Sequence, residues 1–103
     1  MKKKGIMLFF TILIAAFLLL HSNPNTALRT KVFFMGYPIK AISTEITDDQ
    51  FHNETNKEEY AKLNAKAYTL TNPPIERATQ GELSNYLVKK IGFLYFAKHI
   101  GNL

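Results

Sequence analysis

The sequence predicts an α+β protein in which an N-terminal transmembrane helix precedes a small domain of short helices and an antiparallel sheet. Three observations predict this fold. Residues 5–20 are apolar, capped segments with helical spacing come next, and the second half of the chain changes to alternating apolar residues. A chain of 103 residues has room for one small domain. We therefore divide it into a signal-anchor helix, residues 1–22, and an extracytoplasmic domain, residues 23–103.

The N-terminal segment is first basic and then apolar. Lys2, Lys3 and Lys4 precede Gly5–Leu20, a stretch that has no charge. As a helix this stretch is about 24 Å long, whereas the hydrocarbon core of a bilayer is about 30 Å thick. A helix that is apolar on every side is typical of burial in lipid. We predict a transmembrane helix from Gly5 to Leu20, and membrane lipid as its partner.

Cleavage of this segment as a signal peptide is the alternative to a retained anchor. A cleavage site needs small residues, and Leu20-His21-Ser22 fits that requirement poorly. Residues 2–4 lie directly beside the span, whereas the first basic residue after it is Arg29. Basic flanks stay in the cytoplasm. The prediction is a single-pass protein of the cell membrane with its N-terminus in the cytoplasm and its domain outside; secretion after cleavage is the alternative.

The first part of the domain carries helix signals. Asn23 is a suitable N-cap and Pro24 a suitable first helical residue, while Gly36 is suited to end the helix. The apolar residues between them recur at helical spacing: Leu28, Val32 and Met35. These signals predict a helix over residues 24–35. Residues 39–46 fit a helix and a strand equally well.

The remainder of the domain changes to strand signals. Residues 47–57 are polar and acidic, which indicates a loop or a ragged strand. Charges at favourable i,i+4 spacing predict a helix over 57–66, and a strand follows over 67–71. Residues 85–98 predict two strands that meet at Gly92. On this pattern Phe93 belongs to the core side of the strands and Phe96 to the outer side.

Composition excludes several classes of function. The chain has 13 Lys and Arg against 8 Asp and Glu, but three of the basic residues precede the apolar stretch. The domain itself is nearly balanced, which does not favour a nucleic-acid partner. The absence of cysteine excludes disulfides and thiolate chemistry. No glycine-rich loop, HExxH or Gly-x-Ser-x-Gly motif is present, so we predict no enzyme, no cofactor and no small-molecule substrate.

One short run holds the residue types that bind metals. Asp48, Asp49, His52 and Glu54 fall within seven positions, and carboxylates and imidazole are ligands for zinc or hard cations. The run lacks the spacing of a calcium-binding EF-hand loop. A solvated acidic loop is therefore the favoured interpretation, and a metal site is the alternative.

Lysines flank a run of aromatic residues near the C-terminus. The segment 89–98 has the composition of a membrane interface, where rings lie at headgroup level and lysines meet anionic lipid. The favoured interpretation is that these strands form the main core with lysines at exposed edges, and docking at an interface is the alternative. We identify Lys90, Phe96 and Lys98 as candidates for docking to lipid or to a membrane-protein partner.

The layout of residues 1–46 carries a resemblance. It consists of a lysine-led anchor followed by Asn23-Pro24, Ala27-Leu28-Arg29, Phe34, Gly36-Tyr37-Pro38 and Ile42. This layout resembles small uncharacterised membrane-anchored proteins of Gram-positive bacteria. The resemblance implies an architecture and a location, and it transfers no functional residue.

Two functional hypotheses follow from these observations. The leading one is a non-enzymatic binding or accessory module at the outer face of the cell membrane. The alternative is a secreted or envelope metal-dependent factor, or a small enzyme, that uses residues 48–54.

Overall fold

The computed structural model describes residues 2–100. Its elements follow in chain order: α1 (Lys2–Leu20), α2 (Pro24–Phe34), α3 (Pro38–Ser43), β1 (Ile46–Asp48), α4 (Gln50–Thr55), α5 (Lys57–Leu63), β2 (Ala65–Leu70), β3 (Asn85–Ile91) and β4 (Leu94–His99). The four strands form an antiparallel sheet in the order β1-β2-β3-β4. The predicted α+β fold with an antiparallel sheet is confirmed. Residues 101–103 of the predicted domain lie outside the described residues.

Helix α1 lies outside the folded domain. Its window Lys3–Leu20 has a mean hydropathy of 2.1, and none of that window is buried. Within residues 2–100, α1 is the helix that is long and apolar enough to cross a membrane. Its end is tied to the sheet, because the Tyr95 backbone N–H donates to the His21 carbonyl at 2.8 Å along the open edge of β4. The domain thus begins directly where the apolar helix ends.

Helix α2 begins and ends as its capping residues predict. The Asn23 side chain accepts a hydrogen bond from the Thr26 backbone N–H at 2.8 Å. At the other end Gly36 has a positive φ of 105°. The N–H of Gly36 donates to the carbonyl of Phe33, and that of Tyr37 donates to the carbonyl of Val32, which is the Schellman arrangement. The prediction of this helix is confirmed to within one residue.

Residues 39–46 contain both of the predicted alternatives. They begin in the short helix α3 and reach β1 at Ile46. Arg29 of α2 stabilises the C-terminal turn of α3, because its guanidinium donates to the carbonyls of Ala41 and Ile42 at 2.9 and 3.0 Å. This contact joins α2 and α3 into one layer. The contact of Arg29 with α3 joins two segments that are distant in the sequence. The local pattern of residues 39–46 therefore did not distinguish a helix from a strand.

Residues 47–57 are more regular than the sequence indicates. Predicting a loop or ragged strand for the whole segment was wrong, because β1 ends at Asp48 and the helix α4 follows. Asp49 caps this helix by accepting the His52 N–H at 3.1 Å. The next helix, α5, ends earlier than predicted because Asn64 adopts the left-handed conformation, with φ of 52°. Strand β2 therefore starts at Ala65, two residues before its predicted start.

The β3–β4 hairpin is confirmed, but the predicted sides of its residues are wrong. Gly92 and Phe93 form a two-residue turn in which Gly92 has φ of 63°, as a type II′ turn requires. This turn pairs Ile91 with Leu94, so the alternation changes phase between the strands. Phe93 lies at the tip with 70% of its surface exposed. The prediction that Phe93 belongs to the core was wrong.

The sheet is covered by helices on both faces. One face packs against the layer of α2 and α3 in a buried cluster: Leu28, Val32, Ala41, Leu70, Tyr86 and Val88. The opposite face packs against α5 in a smaller cluster: Tyr60, Ala67 and Leu87. Neighbouring residues Tyr86, Leu87 and Val88 alternate between the two clusters, as side chains of a strand do.

Candidate functional site

The acidic loop is organised around Asp49. This residue is 6% exposed, and one carboxylate oxygen accepts the His52 backbone N–H while the other contacts His52 Nδ1 at 2.5 Å. Asn53 binds both backbone groups of Ala67. The Ala67 N–H donates to the Asn53 side-chain oxygen at 2.8 Å, and the Asn53 side-chain nitrogen donates to the Ala67 carbonyl at 3.0 Å. These side chains join α4 to β2. These hydrogen bonds explain Asp49, His52 and Asn53 as structural residues. No local sequence pattern indicates the role of Asn53.

The four candidate metal ligands do not converge. Asp48 forms an ion pair with Lys66 at 3.2 Å on the surface, while Asp49 is turned inward to cap α4. Glu54 is exposed farther along that helix. Within the described residues, no three His, Asp or Glu side chains are arranged to hold a metal ion.

The structure places the three candidate docking residues on two faces of the sheet. Phe96 and Lys98 of β4 lie on the same face of the sheet as the cluster that α5 covers. Lys90 of β3 lies on the other face, opposite Tyr95, where α2 and α3 pack. The ammonium of Lys90 lies 5.7 Å from the centre of the Tyr95 ring. The two lysines therefore do not flank Phe96 as the alternation pattern implies.

Phe96 instead contacts the end of α1. Its ring centre lies 6.2 Å from that of Phe17 and 5.1 Å from that of His21. The rings of Phe17 and His21 stack at 4.3 Å within the helix. Phe34 of α2 lines the same recess from the other side. Aromatic residues from three elements thus surround the point where α1 enters the domain.

A second apolar feature lies beside this point. A groove of about 360 Å³ runs between the end of α1 and the outer surface of α2 and α3. Its lining consists of Leu20, Thr26, Arg29, Thr30, Phe33, Phe34, Ala41 and Ile42. The groove is within the size range of small-molecule sites, but the Arg29 and Thr30 side chains that line it are already hydrogen-bonded. The Arg29 guanidinium bonds the carbonyls of Ala41 and Ile42, and the Thr30 hydroxyl donates to the Thr26 carbonyl at 2.7 Å.

Two tyrosines beneath the α2–α3 layer have raised pKa values. Burial, reinforced by the nearby phenol of Tyr37, raises the pKa of Tyr86 to about 12. Its hydroxyl donates to the sulfur of Met35 at 3.8 Å. Burial also raises the pKa of Tyr68, and this effect outweighs the opposing charge of Lys66. Both groups lie within the packed face of the sheet, so they report on folding rather than on a reactive site.

Comparison with known proteins gives one assignment. No curated protein and no solved structure matches the chain. The family model of the YjcN family matches residues 1–101, which is nearly the whole chain. Membrane anchoring remains a prediction from the apolar segment 5–20, and a Gram-positive origin remains a prediction from the resemblance described above. The chain belongs to the YjcN family.

Proposed function

We propose that the chain is a single-pass membrane protein whose α+β domain is a non-enzymatic binding or accessory module at the outer face of the cell membrane. One observation carries this proposal: the apolar surface of α1 is exposed around its whole circumference. Twelve large apolar side chains of this helix are between 36% and 70% exposed, from Ile6 to Leu20. The domain packs its own core and leaves this helix outside.

The exposure of α1 is too costly in water to be its working state. Full burial of one large apolar side chain is worth about 1.5–3 kcal/mol, so covering the exposed part of twelve that are 36–70% exposed gains roughly 10–20 kcal/mol, as much as the roughly 5–15 kcal/mol by which a small domain is stable. A bilayer surrounds this apolar surface with acyl chains. The helical backbone makes its hydrogen bonds within the helix, so it needs no water there. The lysines before Gly5 favour a cytoplasmic N-terminus.

Single engineered cysteines test the location and the topology in bacterial cells that produce the full chain. The chain has no cysteine of its own, so each label reports one position. The substitution Ala78→Cys places the cysteine in an exposed turn of the domain, and Thr11→Cys places it in the middle of α1. We expect a membrane-impermeant maleimide to label Ala78→Cys in intact cells, and Thr11→Cys only after detergent is added.

Three results would count against the proposal. Labelling of Ala78→Cys only after cell lysis would reverse the topology. A labelled domain in the medium without α1 would support signal cleavage and secretion. Extraction of the intact chain by alkaline carbonate would show that α1 is not inserted.

A further inference from the structure

The outer surface of α2 and α3 exposes large apolar side chains. We define this α2–α3 outer face by four residues: Phe33, Phe34, Ile39 and Ile42, which are 47%, 76%, 78% and 77% exposed. The groove between this face and Leu20 continues the apolar surface to the end of α1. A contiguous apolar patch on a small domain marks a surface that contacts a protein or a lipid.

Contact with α1 fixes the position of this face relative to a bilayer. Phe17 precedes His21 by four residues, about 6 Å along a helix axis. Phe34 and Phe96 line the recess that Phe17 and His21 also line. With α1 inserted as far as Leu20, Phe17 lies at the depth of the acyl chains. The domain residues around Phe17 are then held at the bilayer surface.

The length of α1 favours the same placement. The apolar run Gly5–Leu20 is about 24 Å long as a helix, about 6 Å less than a typical hydrocarbon core. A short span is accommodated by local thinning of the bilayer or by drawing in the flanking residues. The α2–α3 outer face is next to the end of α1, so it is placed to supply the missing apolar thickness.

The charges of the helices also favour placing α2 and α3 next to the bilayer. Residues 23–44 contain Arg29, Lys31 and Lys40 and no acidic residue. Lys31 is exposed, while Arg29 and Lys40 also bind neighbouring polar groups. Helices α4 and α5 instead hold Glu54, Glu58 and Glu59 against Lys57 and Lys62. Anionic lipid therefore attracts the segment of α2 and α3 more than the segment of α4 and α5.

We infer that the α2–α3 outer face docks on the lipid bilayer in which α1 is inserted, with its four apolar side chains in the interfacial region. This inference rests on the proposed function, because α1 must be inserted for this face to reach lipid. Docking holds the domain in one orientation. Helix α5 covers the opposite face of the sheet and α4 packs beside it, so this layer of α4 and α5 then faces away from the membrane.

Fluorescence quenching in vesicles tests the docking. The full chain is reconstituted into equal parts of phosphatidylcholine and phosphatidylglycerol, with brominated acyl chains as quenchers. A polarity-sensitive fluorophore is attached to one engineered cysteine in each of three variants: Thr11→Cys, Ile42→Cys and Phe51→Cys. Phe51 is the matched control, because it is an apolar residue of α4 that is 64% exposed.

The inference predicts strong quenching and a blue-shifted emission at Thr11 and Ile42, and neither effect at Phe51. Quenching at Thr11 without quenching at Ile42 overturns the inference and leaves the proposed function intact. Absence of quenching at Thr11 refutes the proposed function itself. Equal quenching at Ile42 and Phe51 refutes the single orientation. A blue shift at Ile42 that grows with protein density, without quenching, overturns the inference by showing that a second copy of the chain covers the face.

Discussion

The two helical layers cover opposite faces of one sheet, but their outer surfaces differ in character. The layer of α2 and α3 presents apolar side chains to the outside, of which Phe34 and Ile42 are more than three-quarters exposed. The layer of α4 and α5 presents mainly polar and acidic ones, including Glu54, Glu58 and Glu59. Both layers are tied to the sheet by buried residues. The two layers therefore differ in their outer surfaces and not in whether they pack against the sheet.

The exposed apolar residues do not reflect a poorly formed core. The layer of α2 and α3 covers the larger buried cluster, in which Leu28, Val32 and Tyr86 are fully buried. Its helix α2 buries one side against the sheet, whereas its last two residues, Phe33 and Phe34, expose aromatic side chains to the outside. Water alone does not favour such a helix. This difference supports the inference that Phe33 and Phe34 contact a surface outside the domain.

The largest expected effect separates the two sides of α2. Leu28→Ala removes a fully buried side chain, and such a change costs roughly 2–5 kcal/mol. Phe34→Ala removes a side chain that is 76% exposed, so we expect a cost within about 0.5 kcal/mol. Thermal unfolding of the full chain in detergent, followed by circular dichroism, measures both. Equal losses would mean that the outer side of α2 supports the fold and would break the comparison.

A pH titration tests the burial of the Tyr86 hydroxyl in the packed face of the sheet. Because the pKa of Tyr86 is about 12 in the folded protein and 10.0 in the unfolded one, the unfolded state loses its proton first. Stability is unaffected by this group below about pH 10 and falls between about pH 10 and 12, by about 2–3 kcal/mol at roughly 1.36 kcal/mol per pKa unit.

Tyr86→Phe is the control for that titration. The substitution removes the titrating hydroxyl, which donates to the weak acceptor sulfur of Met35. We expect nearly unchanged stability at neutral pH and a transition shifted to higher pH. An unchanged alkaline transition would show that the burial of Tyr86 does not govern it.

The acidic run of residues 45–59 contains one structural carboxylate, Asp49, among surface ones. Asp49→Ala removes the cap of α4, which costs about 0.5–2 kcal/mol. Asp48→Ala removes only an exposed ion pair with Lys66, worth about 0–1 kcal/mol. Melting temperatures of the two variants compare these effects, and Asp49→Asn tests whether an amide oxygen restores the cap. A larger loss for Asp48→Ala would contradict the roles assigned to the two residues.

The smallest expected effect concerns the hairpin tip. Phe93→Ala changes a side chain that is 70% exposed, so its cost should lie within about 0.5 kcal/mol. Gly92→Ala is the contrasting variant, because Gly92 has a positive φ that other residues adopt with strain. Unfolding of both variants measures the difference. A melting temperature lowered more by Phe93→Ala than by Gly92→Ala would restore the core role that the alternation pattern suggested.

The sequence predicted those features that depend on neighbouring residues. Helix α2 was predicted because Asn23 and Gly36 act within a few positions of the helix ends. Helix α4 was missed because its cap, Asp49, directly follows the end of β1, and the polar segment lacks an apolar pattern. The side of Phe93 was wrong because a two-residue turn resets the alternation.

The candidate docking surface was predictable only in part. The composition of residues 89–98 indicated an interface, and Phe96 does lie at the entry of α1. The α2–α3 outer face was not predicted, since Phe34 and Ile42 also fit the apolar stripes of core helices. Their exposure depends on how α2 and α3 pack together through Arg29. That contact joins residues twelve positions apart, which local spacing does not report.

We infer that the layer of α2 and α3 faces lipid while the layer of α4 and α5 faces water. Labelling of Phe34→Cys and Phe51→Cys by a water-soluble maleimide, in membranes from cells that produce the full chain, tests it most directly. Both positions are well exposed in the domain, at 76% and 64%. We expect Phe34→Cys to react about tenfold more slowly, as about 1.4 kcal/mol of burial would produce, and the two rates to become equal in denaturant. Equal rates in the native membrane would contradict the claim.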